Sequence, residues 1–401
     1  DITLQFGERV LFKDVSLKFT PGNCYGVIGA NGAGKSTFLR VLSGEITPDS
    51  GSVIVSPGER IAVLRQDQFQ FEELSVLHTI ILGHERLYEV MIQKDEVYAK
   101  EDFSEEDGMR AAELEAEFAE LGGWEAESEA GRLLSGLGLS DEVLSKYMRE
   151  LDGGQKVRVL LAQALFGSPD ILLLDEPTNN LDLESISWLE NFLLGFTNTV
   201  IVVSHDRHFL NRVATHIADI DFGRIGLSVG NYDFWYHSSQ LARRQQRDEK
   251  KRREDKVAEL KAFIQRFSSN AARSRQATSR QKLVEKLSLD DIKPSSRKAP
   301  YVAFTPEREV GKVVLEVEQL SHDVDDEPVL NDLTFTVQPG DKIAFVGPYH
   351  HAKTTLFQIL AGELTPDHGA VNWGATISHG YFPQDNSEYF AGSTPLVEWL
   401  S

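Results

Sequence analysis

Gly29-Ala30-Asn31-Gly32-Ala33-Gly34-Lys35-Ser36-Thr37 is the stretch on which the reading of this chain turns. It fits G-x-x-x-x-G-K-[ST], a phosphate-binding loop. Its surroundings agree: Tyr25-Gly26-Val27-Ile28 ahead of it reads as a short buried strand, and Phe38-Leu39-Arg40-Val41-Leu42 after it as the first turns of a helix. The glycines let backbone N–H groups turn inward toward a triphosphate with no Cβ in the way. The helix N-terminus adds the positive end of its dipole. Lys35 is placed to reach the β- and γ-phosphates, and the Ser36 hydroxyl to ligate Mg²⁺.

A length of 401 residues allows two or three domains. The formal charge of −21 makes the chain acidic on average. Its one cysteine, Cys24, cannot form an intrachain disulfide, which suits a reducing cytoplasm. The longest apolar runs, Ile171-Leu172-Leu173-Leu174 and Val200-Ile201-Val202-Val203, are strand-length and too short to span a bilayer. No basic-then-apolar signal opens the chain, so work at a membrane would need a separate partner.

On the near side of the loop, Ile2–Phe6 and Val15–Phe19 alternate like strands, and Pro21-Gly22 reads as a turn. Phe6 could stack on a base or simply face the core. Beyond the loop, Ile61-Ala62-Val63-Leu64-Arg65-Gln66 reads as a strand ending on a polar residue. Residues 83–130 are crowded with Glu and Asp, while Leu114, Phe118 and Leu121 recur at helical spacing, predicting a charged and mostly solvated helical insertion. Leu151-Asp152-Gly153-Gly154-Gln155 opens a helix running through Leu165. The uninterrupted apolar strands at 171–174 and 200–203 suit a parallel sheet buried on both faces. They end in Asp175-Glu176 and in Ser204-His205, at the strand ends where α/β folds bind ligands.

From 238 to 298 the composition inverts: 18 Lys and Arg face 8 acidic residues, a net +10, which leaves the rest of the chain at −31. Val257, Leu260, Ile264 and Phe267 fall at helical spacing, Leu283, Val284 and Leu287 could face them, and Ser268-Ser269-Asn270 would turn between two antiparallel helices. A basic patch on so acidic a background points to a polyanion.

After this linker the first pattern returns. Ile343-Ala344-Phe345-Val346-Gly347 mirrors the strand into the phosphate loop, Leu360–Asp367 closely matches Leu42–Asp49, and Tyr381-Phe382-Pro383-Gln384 matches Val63-Leu64-Arg65-Gln66. The reading is therefore α/β, with residues 1–235 as a first nucleotide-binding unit, 236–300 as a basic helical linker and 301–401 as the opening part of a second unit. The second copy stops at Ser401, before counterparts of Asp152–Gln155, Asp175-Glu176 or His205.

In the first unit, Asp175 could hold Mg²⁺ directly or through water, Glu176 could polarise the attacking water, His205 could bond the γ-phosphate or that water, and Gln66 could ligate Mg²⁺ or water. Phosphoryl transfer needs mainly positioning and charge stabilisation, which such groups supply. Together and in this order the motifs resemble the ATP-binding cassette superfamily of P-loop NTPases. Residues 29–36 match its Walker A, Leu151–Gln155 its signature, Leu172–Glu176 its Walker B, Asn180-Leu181-Asp182 its D-loop, and His205 its switch histidine. Two cassettes in one chain with a basic helical linker resemble the ABC-F branch. The linker words Arg266-Phe267-Ser268 and Ser274-Arg275-Gln276-Ala277-Thr278-Ser279-Arg280 are similar to its YbiT-like group.

The resemblance implies a cytoplasmic ATPase using ATP and Mg²⁺ and binding the ribosome near the tRNA exit site. The linker at 238–298 would be directed toward rRNA, the P-site tRNA and the peptidyl-transferase centre, and the insertion at 83–130 would be the family's arm. It also implies that the two cassettes pair within the full-length chain and that each site is shared head to tail. Phe6, the loop residues and Asp152, Gly153, Gly154 and Gln155 would then contact nucleotide. Gly347, Lys353, Thr354 and Thr355 would do so in the second copy, where Thr354 and Gln384 would meet the metal.

Beside the stop at Ser401 ahead of a second signature and Walker B, two departures stand out. Asp152 occupies a position where the family usually has Ser. Beside a γ-phosphate its carboxylate would be repelled by about 4 kcal/mol per unit-charge pair at ~4 Å and an effective dielectric of ~20. As a helix N-cap it would be well placed. The second phosphate loop, Gly347-Pro348-Tyr349-His350-His351-Ala352-Lys353-Thr354-Thr355, lacks the internal glycines. Each non-Gly residue held left-handed there would cost about 1–2 kcal/mol. Any hydrolysis is therefore expected at the first site, in a longer chain. The competing classes are the ATPase subunit of a membrane transporter, a DNA-associated repair-type ATPase, and a nucleotide-binding module that never hydrolyses.

Overall fold

The computed structural model describes residues 1–7, 9–64, 71–179, 181–267, 281, 284, 311–324, 327–347 and 350–383. They fall into two compact units, Asp1–Ala299 and Pro300–Ser401.

The first unit is built on a six-stranded sheet. Its strands are β3 (Cys24–Gly29), β4 (Ile61–Val63), β5 (Ile171–Asp175), β6 (Thr199–Val203), β7 (His216–Asp221) and β8 (Arg224–Val229). Their order is β4-β5-β6-β3-β7-β8; all neighbours are parallel except β7 and β8. The apolar runs do here what their composition demands. Leu172 and Leu174, with Val200 and Val202, point to one core, while Leu173, Ile201 and Val203 point to another on the opposite face. Burying each such side chain stabilises by about 1.5–3 kcal/mol, so a run without polar breaks sits stably only where both faces are covered.

One face is covered by α1 (Lys35–Leu42) and the antiparallel hairpin β1 (Ile2–Phe6) and β2 (Arg9–Val15), with Phe12 and Phe38 meeting edge-to-face at 5.9 Å. The expected strand Val15–Phe19 is not formed. β2 lies earlier, and Asp14 at φ +55° bends the chain just before Val15. The strand expected over 61–66 ends at Val63, although the Leu64 N–H still donates to Leu173 O at 2.9 Å.

The other face carries a helical group inserted between β4 and β5: α2 (Val76–Ile81), α3 (Glu85–Tyr98), α4 (Glu105–Glu120), α5 (Ala126–Gly136) and α6 (Gly153–Leu165). The acidic stretch is helical as expected, but it is less solvated than its charge suggests. Leu87, Val90 and Val97 on α3 and Ala111, Leu114 and Phe118 on α4 are buried in the main core. The charge is confined to outer faces, where Arg86 bridges to Glu117 and Glu89. α4 begins with a capping box in which Ser104 and Asp107 satisfy each other's backbone N–H groups. Two further helices, α7 (Leu183–Leu194) and α8 (Arg207–Val213), follow β5 and β6.

The basic stretch begins in α9 (Tyr232–Phe267), a helix of 36 residues. Val257, Leu260 and Ile264 are half-buried on one face and most other described side chains beyond Trp235 are exposed. The expected turn at 268–270 and nearly all of the second linker helix lie outside the described residues.

The second unit holds a three-stranded antiparallel sheet, β10-β9-β11, from β9 (Leu315–Val324), β10 (Glu327–Val337) and β11 (His368–Trp373), packed on α10 (His350–Ala361). The strand expected over 343–347 is absent. Its counterpart β3 is held between β6 and β7, and among the described residues of this unit no strand flanks 341–347. Ile343 and Val346 are accordingly 49% and 75% exposed.

Candidate functional site

The strand order places the candidate residues before any side chain is considered. β3 lies beside β6, and β6 beside β5, so the loop after β3 and the polar ends of β5 and β6 share the carboxyl edge of the sheet.

The loop from Gly29 to Gly34 depends on its glycines. A Cβ on Gly29 would stand 2.9 Å from Ile220 O, and Gly32 and Gly34 take φ +72° and +97°, conformations that side chains resist. Gly34 is the N-cap of α1, which starts at Lys35. Lys35 is nearly buried, with Nζ 3.4 Å from the carbonyl oxygens of both Gly29 and Ala30. Asn31, Gly32 and Ser36 are exposed, and Ala33 and Thr37 half-buried, so the outer wall of the loop and the first hydroxyl of α1 are accessible.

Asp175 ends β5 in register with Val203. Glu176 follows at φ +51°, a left-handed backbone that costs a non-glycine residue about 1–3 kcal/mol. It is held there by donating its N–H to Val203 O at 2.8 Å and by accepting, through Oε2, the His205 N–H at 3.1 Å. His205 Nε2 lies 3.5 Å from Glu176 Oε1, a buried oxygen that makes no hydrogen bond. A buried carboxylate oxygen without a partner can accept a hydrogen bond from a ligand or a water. Gly29, Lys35 and His205 line one cavity of about 200 Å³.

Phe6 is 55% exposed at the tip of the β1–β2 hairpin, free to offer its face to a planar ligand. Arg9 of the same hairpin donates to Gly32 O at 2.7 Å and so anchors the hairpin to the loop. Sequence reading misses Arg9 because the contact joins residues 23 apart, and its only signal is a cation following an exposed aromatic and a turn.

Asp152, Gly153, Gly154 and Gln155 are not among the residues lining that cavity. Asp152 is the N-cap of α6: its Oδ1 accepts the Gln155 N–H at 2.8 Å, and Gln155 Oε1 accepts the Asp152 N–H at 3.3 Å. Lys156, on the same helix and nearly buried, pairs with Glu72 at 3.0 Å. Gln66, Asn180 and Gln384 lie outside the described residues.

The second phosphate loop differs in kind. α10 starts at His350, three residues ahead of Lys353, whereas α1 starts at the matching Lys35. The left-handed strain expected for a glycine-poor loop is thus avoided at 350–352, because residues with a Cβ wind into the helix instead. Lys353 Nζ donates to Gly347 O at 2.9 Å, Thr354 is half-buried and Thr355 is buried.

A family model described as "ABC transporter" matches residues 12–179, and a second of the same description, ABC_tran_Xtn, matches 218–304. The "Uncharacterized ABC transporter ATP-binding protein YkpA" of Bacillus subtilis (strain 168) is 62% identical over 401 residues, covering 100% of this chain and 74% of its own. The "Probable ATP-binding protein YbiT" of Escherichia coli O157:H7 is 45% identical over 401 residues, 100% of this chain and 76% of its own. The "ATP-binding protein Uup" of Haemophilus influenzae is 30% identical over 386 residues, 95% of this chain and 59% of its own. A solved "ATP binding subunit of ABC transporter" overlays with a TM-score of 0.46 at 20% identity, over 60% of this chain and 92% of its own.

Proposed function

The chain belongs to the ATP-binding cassette ATPases of the ABC-F type, and from that premise we propose that it is an ATP-gated factor that acts on the ribosome in the cytoplasm. The phosphate loop binds ATP, with Phe6 against the base and Lys35 on the β- and γ-phosphates. Glu176 accepts the proton of the attacking water, and His205, tied to Glu176, orients that water or the γ-phosphate. A magnesium ion fits this donor set. Among the described residues no group of three or more His, Cys, Asp or Glu could hold a metal unaided, and magnesium is commonly held by one or two protein oxygens plus phosphates and water. Ser36, Asp175 and Gln66 would supply the protein oxygens, with Thr354 and Gln384 in the second copy. When bound, the ion would offset charge on the transferring phosphoryl group.

One observation carries the ribosomal reading. A chain of charge −21 gathers a net +10 into residues 238–298, and the described part of that segment is an exposed helix rising from the nucleotide-binding unit. Such a helix fits a phosphate-lined groove better than a protein core. Among the described residues no helix is long and apolar enough to cross a membrane.

Cosedimentation with ribosomes, compared with duplex-DNA binding at matched salt and with and without ATP, tests the reading. ATP-dependent pelleting with ribosomes is expected. Preferential binding to DNA would transfer the assignment to the repair-type class, and indifference to ATP would remove the gating.

A further inference from the structure

The cavity that holds Lys35 and His205 does not follow the triphosphate loop along its length. It has Gly29, Lys35 and His205 on one side and Arg207, Tyr232 and Trp235 on the other. Asn31, Gly32, Gly34, Ser36, Asp175 and Glu176 are not among its lining residues. It is thus a side chamber that shares a wall with the candidate γ-phosphate position and turns away from the candidate magnesium donors. Its volume of about 200 Å³ equals the liquid share of roughly six or seven waters at ~30 Å³ each. That is too small for a nucleotide and ample for a free tetrahedral oxyanion.

The chamber carries charge of one sign. Among the described residues no Asp or Glu lines it, whereas the Lys35 ammonium and the Arg207 guanidinium both do. The adjoining carboxylates are engaged elsewhere. Asp206, beside Arg207 in the chain, caps α8 by accepting the N–H groups of His208 at 2.8 Å and Phe209 at 3.1 Å. Asp233, beside Tyr232, accepts the Asn211 side-chain N–H at 2.7 Å. Among the described residues Arg207 has no carboxylate partner, and its guanidinium lies 5.8 Å from the Tyr232 ring. A guanidinium resting on an aromatic face keeps its N–H edge for a second partner, as the fork that matches an oxyanion. The far wall is firm: Trp235 is 7% exposed within the main core, and Tyr232 packs on it at 5.5 Å.

We propose that this side chamber is a binding site for inorganic phosphate, the product of hydrolysis at the Lys35 site, with Arg207 as its chief ligand and His205 at its doorway. This rests on the reading of the loop as a hydrolytic ATP site and adds to it a place for the product. In that reaction the water oxygen bonds to the γ-phosphorus, the bond from that phosphorus to the β–γ bridging oxygen breaks, the bridging oxygen stays on ADP, and the water proton passes to Glu176. The freed phosphate is left beside the terminal phosphate of ADP, an anion like itself. Passing His205 toward Arg207 takes it away from that charge and toward a cation. Phosphate then parts from ADP while ADP still occupies the loop.

Equilibrium dialysis of radiolabelled orthophosphate against the chain saturated with ADP and magnesium, at constant ionic strength, tests the chamber. About one phosphate per chain is expected to bind. Arg207→Ala should weaken that binding about tenfold or more, and Arg207→Lys, which keeps the charge and loses the planar fork, by a smaller factor. The Kd of a non-hydrolysable ATP analogue, measured in parallel, should stay within about twofold in both variants, which also shows that they are folded. Phosphate binding undiminished in Arg207→Ala overturns the chamber. An equal loss of phosphate and analogue binding also overturns it, because Arg207 would then belong to the ATP site. A parent chain that binds the analogue but no phosphate overturns the chamber alone, and one that binds neither sinks the ATP reading with it.

Discussion

At the scale of single residues, chemistry and strain coincide at Glu176. Its left-handed backbone is one that glycine would adopt at no cost, yet a carboxylate sits there. Glu176→Gln should lower kcat about 10²–10⁴-fold in a phosphate-release assay while the protein still retains ATP on a filter. Glu176→Gly should be equally inactive yet unfold at a higher temperature, by an amount matching ~1 kcal/mol of relieved strain. A less stable Glu176→Gly would mean that the contacts of the side chain outweigh its strain. At Gly34 the same physics runs in reverse. An added Cβ at φ +97° costs about 1–2 kcal/mol and would touch Leu11 and Phe12 at 3.4 Å, so Gly34→Ala should weaken ATP binding about 5–30-fold by calorimetry. Gly34 is legible in the sequence because glycine spacing encodes left-handed positions directly, and Glu176 because it follows an apolar strand, although its left-handed backbone is not. Arg9 is not, because its hydrogen bond to Gly32 exists only once the hairpin has folded back over the loop.

At the scale of elements, Asp152 shows how one residue type serves two readings. Its carboxylate caps α6, so Asp152→Ala should cost about 0.5–2 kcal/mol in denaturant unfolding and Asp152→Ser close to nothing. The heptad-like spacing of Leu114 and Phe118 announces α4, but composition alone overstates the solvation of the acidic helices. Counting charges cannot show that they are all on the outer face. Strand ends are the least legible. The strand expected over Val15–Phe19 gives way to β2, which ends at Val15 one residue past the left-handed Asp14, and β4 ends at Val63, short of the expected Gln66. The contrast between α1 and α10 is invisible to a motif that checks only for Lys-Thr. His350, His351 and Ala352 favour continuing the helix, and the cradle shortens. Calorimetric titration should accordingly resolve about one tight ATP site per chain, weakened as stated in Gly34→Ala and unchanged in Lys353→Ala.

At the scale of the whole molecule, the charge map is plain in the sequence and its display is not. Composition locates the basic stretch, but only the structure shows that its first half is a single exposed helix rooted in the unit that carries Lys35 and Glu176. Binding to ribosomes should fall steeply with salt, and each phosphate-contacting Lys or Arg replaced on α9 should reduce the slope of log K against log salt by a little under one. A slope unchanged by Lys256→Gln with Lys261→Gln would place the contact elsewhere on the molecule. The length of α9 also has a consequence for long-range repulsion. At 1.5 Å per residue its 36 residues span about 54 Å, so its last turns stand several Debye lengths of ~8 Å from its buried foot at physiological salt. Mobile counter-ions therefore hide the acidic body from a polyanion that meets the tip, and the cationic end acts electrically as if it were a separate small molecule.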